Sequence, residues 1–195
     1  MGRLLLWRMN VRHPKVTDWG LAHTSIDRRS TILDLGCGGG RTLGKLARTA
    51  AKGKVYGIDH SEESVAASKR TNARWIDMGA VEVRLGSVSQ LPFSDGMFDL
   101  VTAVETHFWW PNLLMDLREV FRVLTAGGTL IIIAEVYKGA NTVLAKMAET
   151  HASRIGMTLL DVDEHRELLV TAGYSEVQVI EERDKGWICA TGRKP

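Results

Sequence analysis

Apolar residues along this chain fall into short continuous runs, separated by stretches in which they recur every third or fourth position. Thr31 to Leu35, Lys54 to Ile58 and Phe98 to Val104 are short, mainly apolar runs, Thr129 to Ala134 has a continuous apolar core, and Val81 to Leu85 alternates. Runs of that length suit parallel strands buried on both faces. Between them, Leu43, Leu46, Ala47 and Ala50 share one helical face. Leu113, Leu117, Val120 and Leu124 share another, ended by Gly127-Gly128. Ser61 followed by Glu62 and Glu63 reads as an N-cap with acids in the first turn. Strand and helix patterns therefore alternate, which predicts βαβ units and an α/β domain.

The end of the chain breaks that rhythm. Glu176 to Glu181 and Trp187 to Thr191 are both strand-like, with only Glu182 to Gly186 between them. A parallel pair needs a crossover of about a dozen residues or more, so these two must be antiparallel neighbours. Residues 161–195 thus read as a helix and a β-hairpin, after a core spanning 29–137. Two segments lie outside that pattern: residues 1–28, with Trp7, His13 and Trp19, and residues 138–160. They are expected to lie over the carboxyl ends of the strands, where open α/β sheets bind ligands, the first as a lid and the second as a substrate cover.

A length of 195 residues fits one domain. Net charge is +2, but residues 1–54 hold eleven Lys/Arg against three Asp/Glu, an asymmetry that suits either a solvated surface or an anionic partner. The two cysteines, Cys37 and Cys189, form no C-x-x-C pair, so they suggest neither a disulfide framework nor zinc and fit a reducing cytoplasm. Leu4-Leu5-Leu6-Trp7 is too short for a signal-peptide core, and no run approaches the roughly 20 apolar residues of a membrane span. A cytoplasmic protein, monomeric or homodimeric, is the expectation.

Chemistry concentrates where the first strand ends. Thr31 to Arg41 reads T-I-L-D-L-G-C-G-G-G-R, a strand closing on an acid and running into four glycines within five positions. Small residues let a ligand approach the backbone, and a helix follows at once. The dinucleotide fingerprint G-x-G-x-x-G would need glycine where Arg41 stands. The pattern present is Asp34-x-Gly36-x-Gly38-x-Gly40, which resembles motif I of the class I S-adenosylmethionine (SAM) dependent methyltransferases. Leu91-Pro-Phe-Ser-Asp-Gly-Met-Phe-Asp-Leu-Val101 is similar to the L-P-F-x-D-x-x-F-D-x-V run of their ubiquinone/menaquinone and small-molecule branch.

That resemblance implies a Rossmann-like sheet of seven strands in the order 3-2-1-4-5-7-6, six parallel and one C-terminal strand reversed, with helices on both faces. It also implies SAM as methyl donor and S-adenosylhomocysteine as product. Along the loop, Gly36, Cys37, Gly38, Gly40 and Thr42 are expected at the cofactor, with Asp34 holding loop and tail and Glu105 lining the donor. His60 is expected beside the adenine, and Gly86, Ser87 and Val88 at its edge. Many relatives carry an acid where Ser87 stands, so the Ser87 hydroxyl or Val88 backbone must replace it. Asp59, 23 residues past Gly36 and at the tip of the second strand, can offer two oxygens to a ribose diol or merely charge a helix N-terminus.

After the fourth strand, Glu105-Thr-His-Phe-Trp-Trp-Pro111 places an acid, an imidazole and three aromatics at the ligand edge. Trp109, Trp110 and Tyr137, with Trp7 and Trp19, are candidates for the acceptor pocket; aromatic faces also attract a sulfonium. His13, Glu105 and His107 are candidate bases, needed only where the acceptor must lose a proton. No acidic cluster has the spacing of a divalent metal site. A small-molecule acceptor fits this chain better than RNA, for which the basic N-terminal region is the only argument. A SAM-binding protein without transferase activity is the reading from a different class.

Overall fold

The computed structural model describes residues 14–195. Five strands, β1 (Thr31–Leu35), β2 (Lys54–Asp59), β3 (Val81–Leu85), β4 (Phe98–Val104) and β5 (Leu124–Ala134), pair in parallel in the order β3-β2-β1-β4-β5. The hairpin β6 (Ser175–Glu182) and β7 (Trp187–Arg193) completes a seven-stranded sheet, order β3-β2-β1-β4-β5-β7-β6. β7 is antiparallel to both β5 and β6. The short connection forces that reversal, and the fold class and strand order expected from sequence both stand.

Helices cover the sheet because its strands are apolar on both faces. α1 (Pro14–Leu21), α2 (Arg41–Thr49) and α3 (Glu62–Thr71) bury Val16, Leu21, Leu43, Leu46, Ala47 and Val65 on one face. A short α4 (Ala73–Asp77) follows α3. On the other face, α5 (Leu113–Val123) and α7 (Val162–Ala172) pack Leu117, Val120 and Leu169 around Phe98, Leu130 and Trp110. α6 (Val143–Ile155) lies over a third cluster with Phe108, Ala134, Tyr137 and Ile188.

Two expectations need correction. Leu124 does not continue the α5 stripe. The strand starts there: Met97 N donates to Val123 O at 2.7 Å, and Phe98 pairs with Leu124 before a register shift brings Leu100 opposite Thr129. Pairing with β4 overrides the helical spacing. Nor is the N-terminal segment wholly outside the core. In α1, Val16 is fully buried, and a Cβ on Gly20 would stand 2.5 Å from Ile133 Cγ1, so α1 is seated against β5. Residues 1–13, and with them Trp7 and His13, lie outside the described residues.

Candidate active site

The parallel strands all end at one edge, and there the glycine turn is built. Gly36, Gly38 and Gly40 have φ of 64°, 50° and 80°, the left-handed region that costs other residues about 1–2 kcal/mol. Their surroundings differ. A Cβ on Gly36 would lie 2.3 Å from Thr106 Oγ1, so Thr106, just past β4, rests directly on the turn. Among the described residues, a Cβ on Gly38 would meet only Gly36 O, at 3.9 Å. The turn is closed against the protein at Gly36 and open to a ligand at Gly38. Gly36→Ala is therefore expected to lower the melting temperature by several degrees, about 2–4 °C for each kcal/mol in a chain of this size, read by thermal denaturation.

Asp59, at the end of β2, is buried and faces that opening. Its Oδ2 accepts from Gly38 N and its Oδ1 from Ser61 N, both at 2.9 Å. A carboxylate has about four lone-pair sites, so each oxygen keeps one for a further donor. The N-terminal acid reading is thus partly met, because the bond to Ser61 N lies at the start of α3, and it coexists with a ligand role. His60 is the neighbour on the solvent side, its side chain 87% exposed and Nδ1 3.8 Å from Asp59 Oδ1.

Behind the turn, Asp34 is buried and Thr102 Oγ1 donates to its Oδ1 at 2.6 Å. Burial raises its pKa to about 7, and nearby Asp59 adds to the rise against the lowering effect of the Thr102 bond. Asn72 supports the next step. It is 1% exposed, and its Nδ2 donates to Gly40 O at 2.8 Å and Ser68 O at 3.0 Å. Gly40 O also accepts from Gly44 N and Ser68 O from Asn72 N, so Asn72→Ala would remove one of two donors from each carbonyl, costing about 0.5–1.5 kcal/mol per lost bond; a lower melting temperature checks it.

Cys37 turns away from the ligand side. Its Sγ lies 3.8 Å from Ser68 Oγ, and a Cβ on Gly57 would stand 3.1 Å from it, so this thiol packs between the sheet and α3. Thr42 lies half-buried in the first turn of α2. Gly86 follows β3; its N donates to Asp59 O at 3.0 Å, and a Cβ there would meet Ile58 Cδ1 at 2.7 Å. Ser87 Oγ accepts from Ser89 N at 3.2 Å, and Val88 packs on the core. These residues flank Asp59 on the β3 side.

On the β4 side, Glu105 has φ 57°, unusual for a residue with a side chain, and its carboxylate accepts from Glu135 N. Backbone strain of this sort gathers at ligand sites and switch points. His107 opens a short 3₁₀ turn (His107–Trp109) and is 2% exposed. His165 Nδ1 lies 2.7 Å from Asp161 O, so it carries the proton and donates; its Nε2 then accepts from His107 Nε2, 3.1 Å away. His107 Nδ1 is left as a buried acceptor without a hydrogen-bond partner among the described residues. Burial holds the His107 pKa well below its ordinary value, with His165 adding to the effect. A weakened proton affinity runs against the general-base role expected of His107.

The aromatics divide. Trp109 is 48% exposed, whereas Trp110 is buried in the main core cluster and offers no open wall. Burial rather than a ligand explains Trp110. Trp19 packs on Trp187 with ring centroids 5.9 Å apart and edge-on to His23 at 4.9 Å. Tyr137 OH donates to Glu181 Oε1 at 2.7 Å, and burial raises the phenol to about 12. Ile188 pairs with Ala134 and Glu181, so Trp187 and Glu181 lie at the carboxyl end of β5. Trp19 and Tyr137 are therefore at the same edge as the turn, each engaged with a protein partner. Among the described residues no group of three or more His, Cys, Asp or Glu could hold a metal ion, and no helix is long and apolar enough to cross a membrane.

Thr102, Thr106, Asn72 and His165 were not legible as site residues. Each meets its partner through packing of distant elements, and nothing in local spacing marks them.

Comparison with known proteins agrees with this geometry. A family model described as a methyltransferase domain matches residues 33–132, just over half of the chain. A demethylmenaquinone methyltransferase of Symbiobacterium thermophilum is 34% identical over 114 residues, covering 58% of this chain and 45% of that protein. An O-methyltransferase of Penicillium expansum is 28% identical over 156 residues, covering 78% and 55%. Across such curated relatives the chain spans 29% to 75% of their length, mostly under two thirds. The crystal structure of a SAM-dependent methyltransferase from Aquifex aeolicus superposes with a TM-score of 0.80 at 21% identity, covering 97% of both chains. From Leu33 to Ile132, where the glycine turn, Asp59 and the parallel strands lie, the chain matches the methyltransferase domain, and it belongs to the class I SAM-dependent methyltransferase family.

Proposed function

We propose that this domain transfers the SAM methyl group to a small-molecule acceptor, releasing S-adenosylhomocysteine. One observation carries the reading: among the described residues Gly38 is uncovered beside Asp59, whose two oxygens each keep a lone pair. A ribose diol fits that pair of acceptors, and the open face of the turn admits the rest of a nucleoside. SAM supplies an activated methyl on a sulfonium, which leaves as a neutral thioether. The chain's task is then to bind, align and exclude water, and alignment alone can supply on the order of 7–11 kcal/mol.

Each site residue has a defined share. Asp59 holds the diol while bracing Gly38, Thr106 fixes the turn from the acceptor side, and Asn72 locks its exit into α2. The half-buried Glu105 stands between turn and acceptor, and it replaces His107 as the residue we assign to polar contact with the acceptor. Names of relatives that methylate demethylmenaquinone or oxygen support a small-molecule acceptor. The test is acceptor-dependent formation of S-adenosylhomocysteine, with a demethylated naphthoquinol as the first acceptor. SAM binding without turnover of any acceptor in a broad panel would favour a binding protein.

Asp34 adds a pH dependence. Its folded pKa, raised to about 7 by burial, means that below that pH the free protein holds a proton there which the ammonium of the amino-acid tail must displace. For folding the sign is the reverse: this stabilisation is full below the unfolded value of 3.8 and is lost as pH rises toward 7. SAM affinity is therefore expected to rise severalfold from pH 6 to 7.5. Calorimetric titration across that range checks it, and Asp34→Asn should flatten the profile.

A further inference from the structure

α6 is seated on the protein by small residues. Ala145 is fully buried, Ala148 packs on the cluster with Phe108, and Ala152 is half-buried. Its other face carries Val143, Leu144, Met147 and Ile155, exposed by 77%, 37%, 56% and 55%. Single exposed aliphatics are ordinary, but four on one helix of 13 residues are not.

The charges on this helix are sorted as well. At about 100° per residue, Val143, Arg154, Met147, His151, Leu144 and Ile155 fall within one outward arc of about 120°, with Lys146 on its flank. Arg154, His151 and Lys146 are all exposed. The single acid of the helix, Glu149, lies on the far flank, where its Oε1 accepts from Gly139 N at 2.6 Å. Aliphatics mixed with cations and cleared of acids suit a surface that is apolar beneath and anionic on top. A protein partner would need an acidic rim around an apolar groove, and a second copy of this helix would set cation against cation.

We propose that the outward face of α6 docks this protein onto an anionic phospholipid bilayer. The helix adjoins the acceptor side of the site: Thr158 N donates to Phe108 O at 2.9 Å, and the exposed Trp109 follows Phe108 in the same 3₁₀ turn. An indole at that position suits the interfacial zone of a bilayer. Docking would turn the β4–β5 end of the site toward lipid. The inference concerns a surface, and it does not depend on which acceptor is methylated.

Flotation with vesicles tests it without any measurement of methyl transfer. The intact chain should float with phosphatidylcholine vesicles containing about one third phosphatidylglycerol, and not with phosphatidylcholine alone. Binding should fall sharply at about 0.5 M salt, where screening shortens to a few Å. The double variant Met147→Glu/Ile155→Glu should lose at least about tenfold in partitioning, and Lys146→Glu/Arg154→Glu should lose the preference for phosphatidylglycerol. All four side chains are exposed, so melting temperatures should stay near the parent's. Absence of flotation in the parent, or flotation unchanged by both double variants, would overturn the proposal. So would a dimer in sedimentation analysis that Met147→Glu/Ile155→Glu dissociates, because that would make this face an interface between copies.

Discussion

Asp59→Ala should weaken SAM binding by at least about a hundredfold while the protein remains folded. The carboxylate offers one free lone pair from each oxygen to the ribose diol, and each charge-assisted bond is worth about 1.5–3 kcal/mol. Two such bonds exceed the roughly 2.8 kcal/mol that a hundredfold change represents. The same substitution frees Gly38 N and Ser61 N, each held at 2.9 Å, so the melting temperature should also fall. Titration must therefore be made well below the variant's transition. An unchanged dissociation constant in the folded variant would take Asp59 out of the site and leave it as a brace for the loop and α3.

The sheet was legible because its strands are locally coded: short, mainly apolar runs suit burial on both faces of a parallel sheet, and the four residues between the last two strands forbid a crossover. The glycine turn was legible for a related reason, since left-handed backbone at alternate positions, Gly36, Gly38 and Gly40, leaves its mark in the residues themselves. Where non-local contacts decide, local pattern failed. Leu124 has helical spacing from Val120 but pairs with Phe98, 26 positions earlier. His107 reads either as a structural, hydrogen-bonded imidazole or as a candidate base, and its partner His165, 58 positions later, has no local signal. Asn72 lies 32 positions from Gly40 and Thr102 lies 68 from Asp34, so neither bond can be read from spacing. Trp109 and Trp110 are adjacent and chemically identical, and only the turn they sit in sends one to solvent and the other to the core.

Gly38→Val is expected to abolish SAM binding with only a modest loss of stability, the reverse balance from Gly36→Ala. At Gly36 the added carbon meets Thr106 at 2.3 Å, a clash inside the protein. At Gly38 nothing but Gly36 O among the described residues lies within 4 Å of the added Cβ, so the main cost is a branched residue at φ 50°, about 1–2 kcal/mol. The branched carbons would occupy the opening beside Asp59 through which the nucleoside must approach. A thermal-shift assay separates the two effects. The Gly38→Val protein should melt cooperatively a few degrees below the parent and show no further rise on adding SAM or S-adenosylhomocysteine. If it keeps the parent's full ligand-induced shift, the open face of the turn does not receive the cofactor, and Asp59 must meet its ligand from another direction.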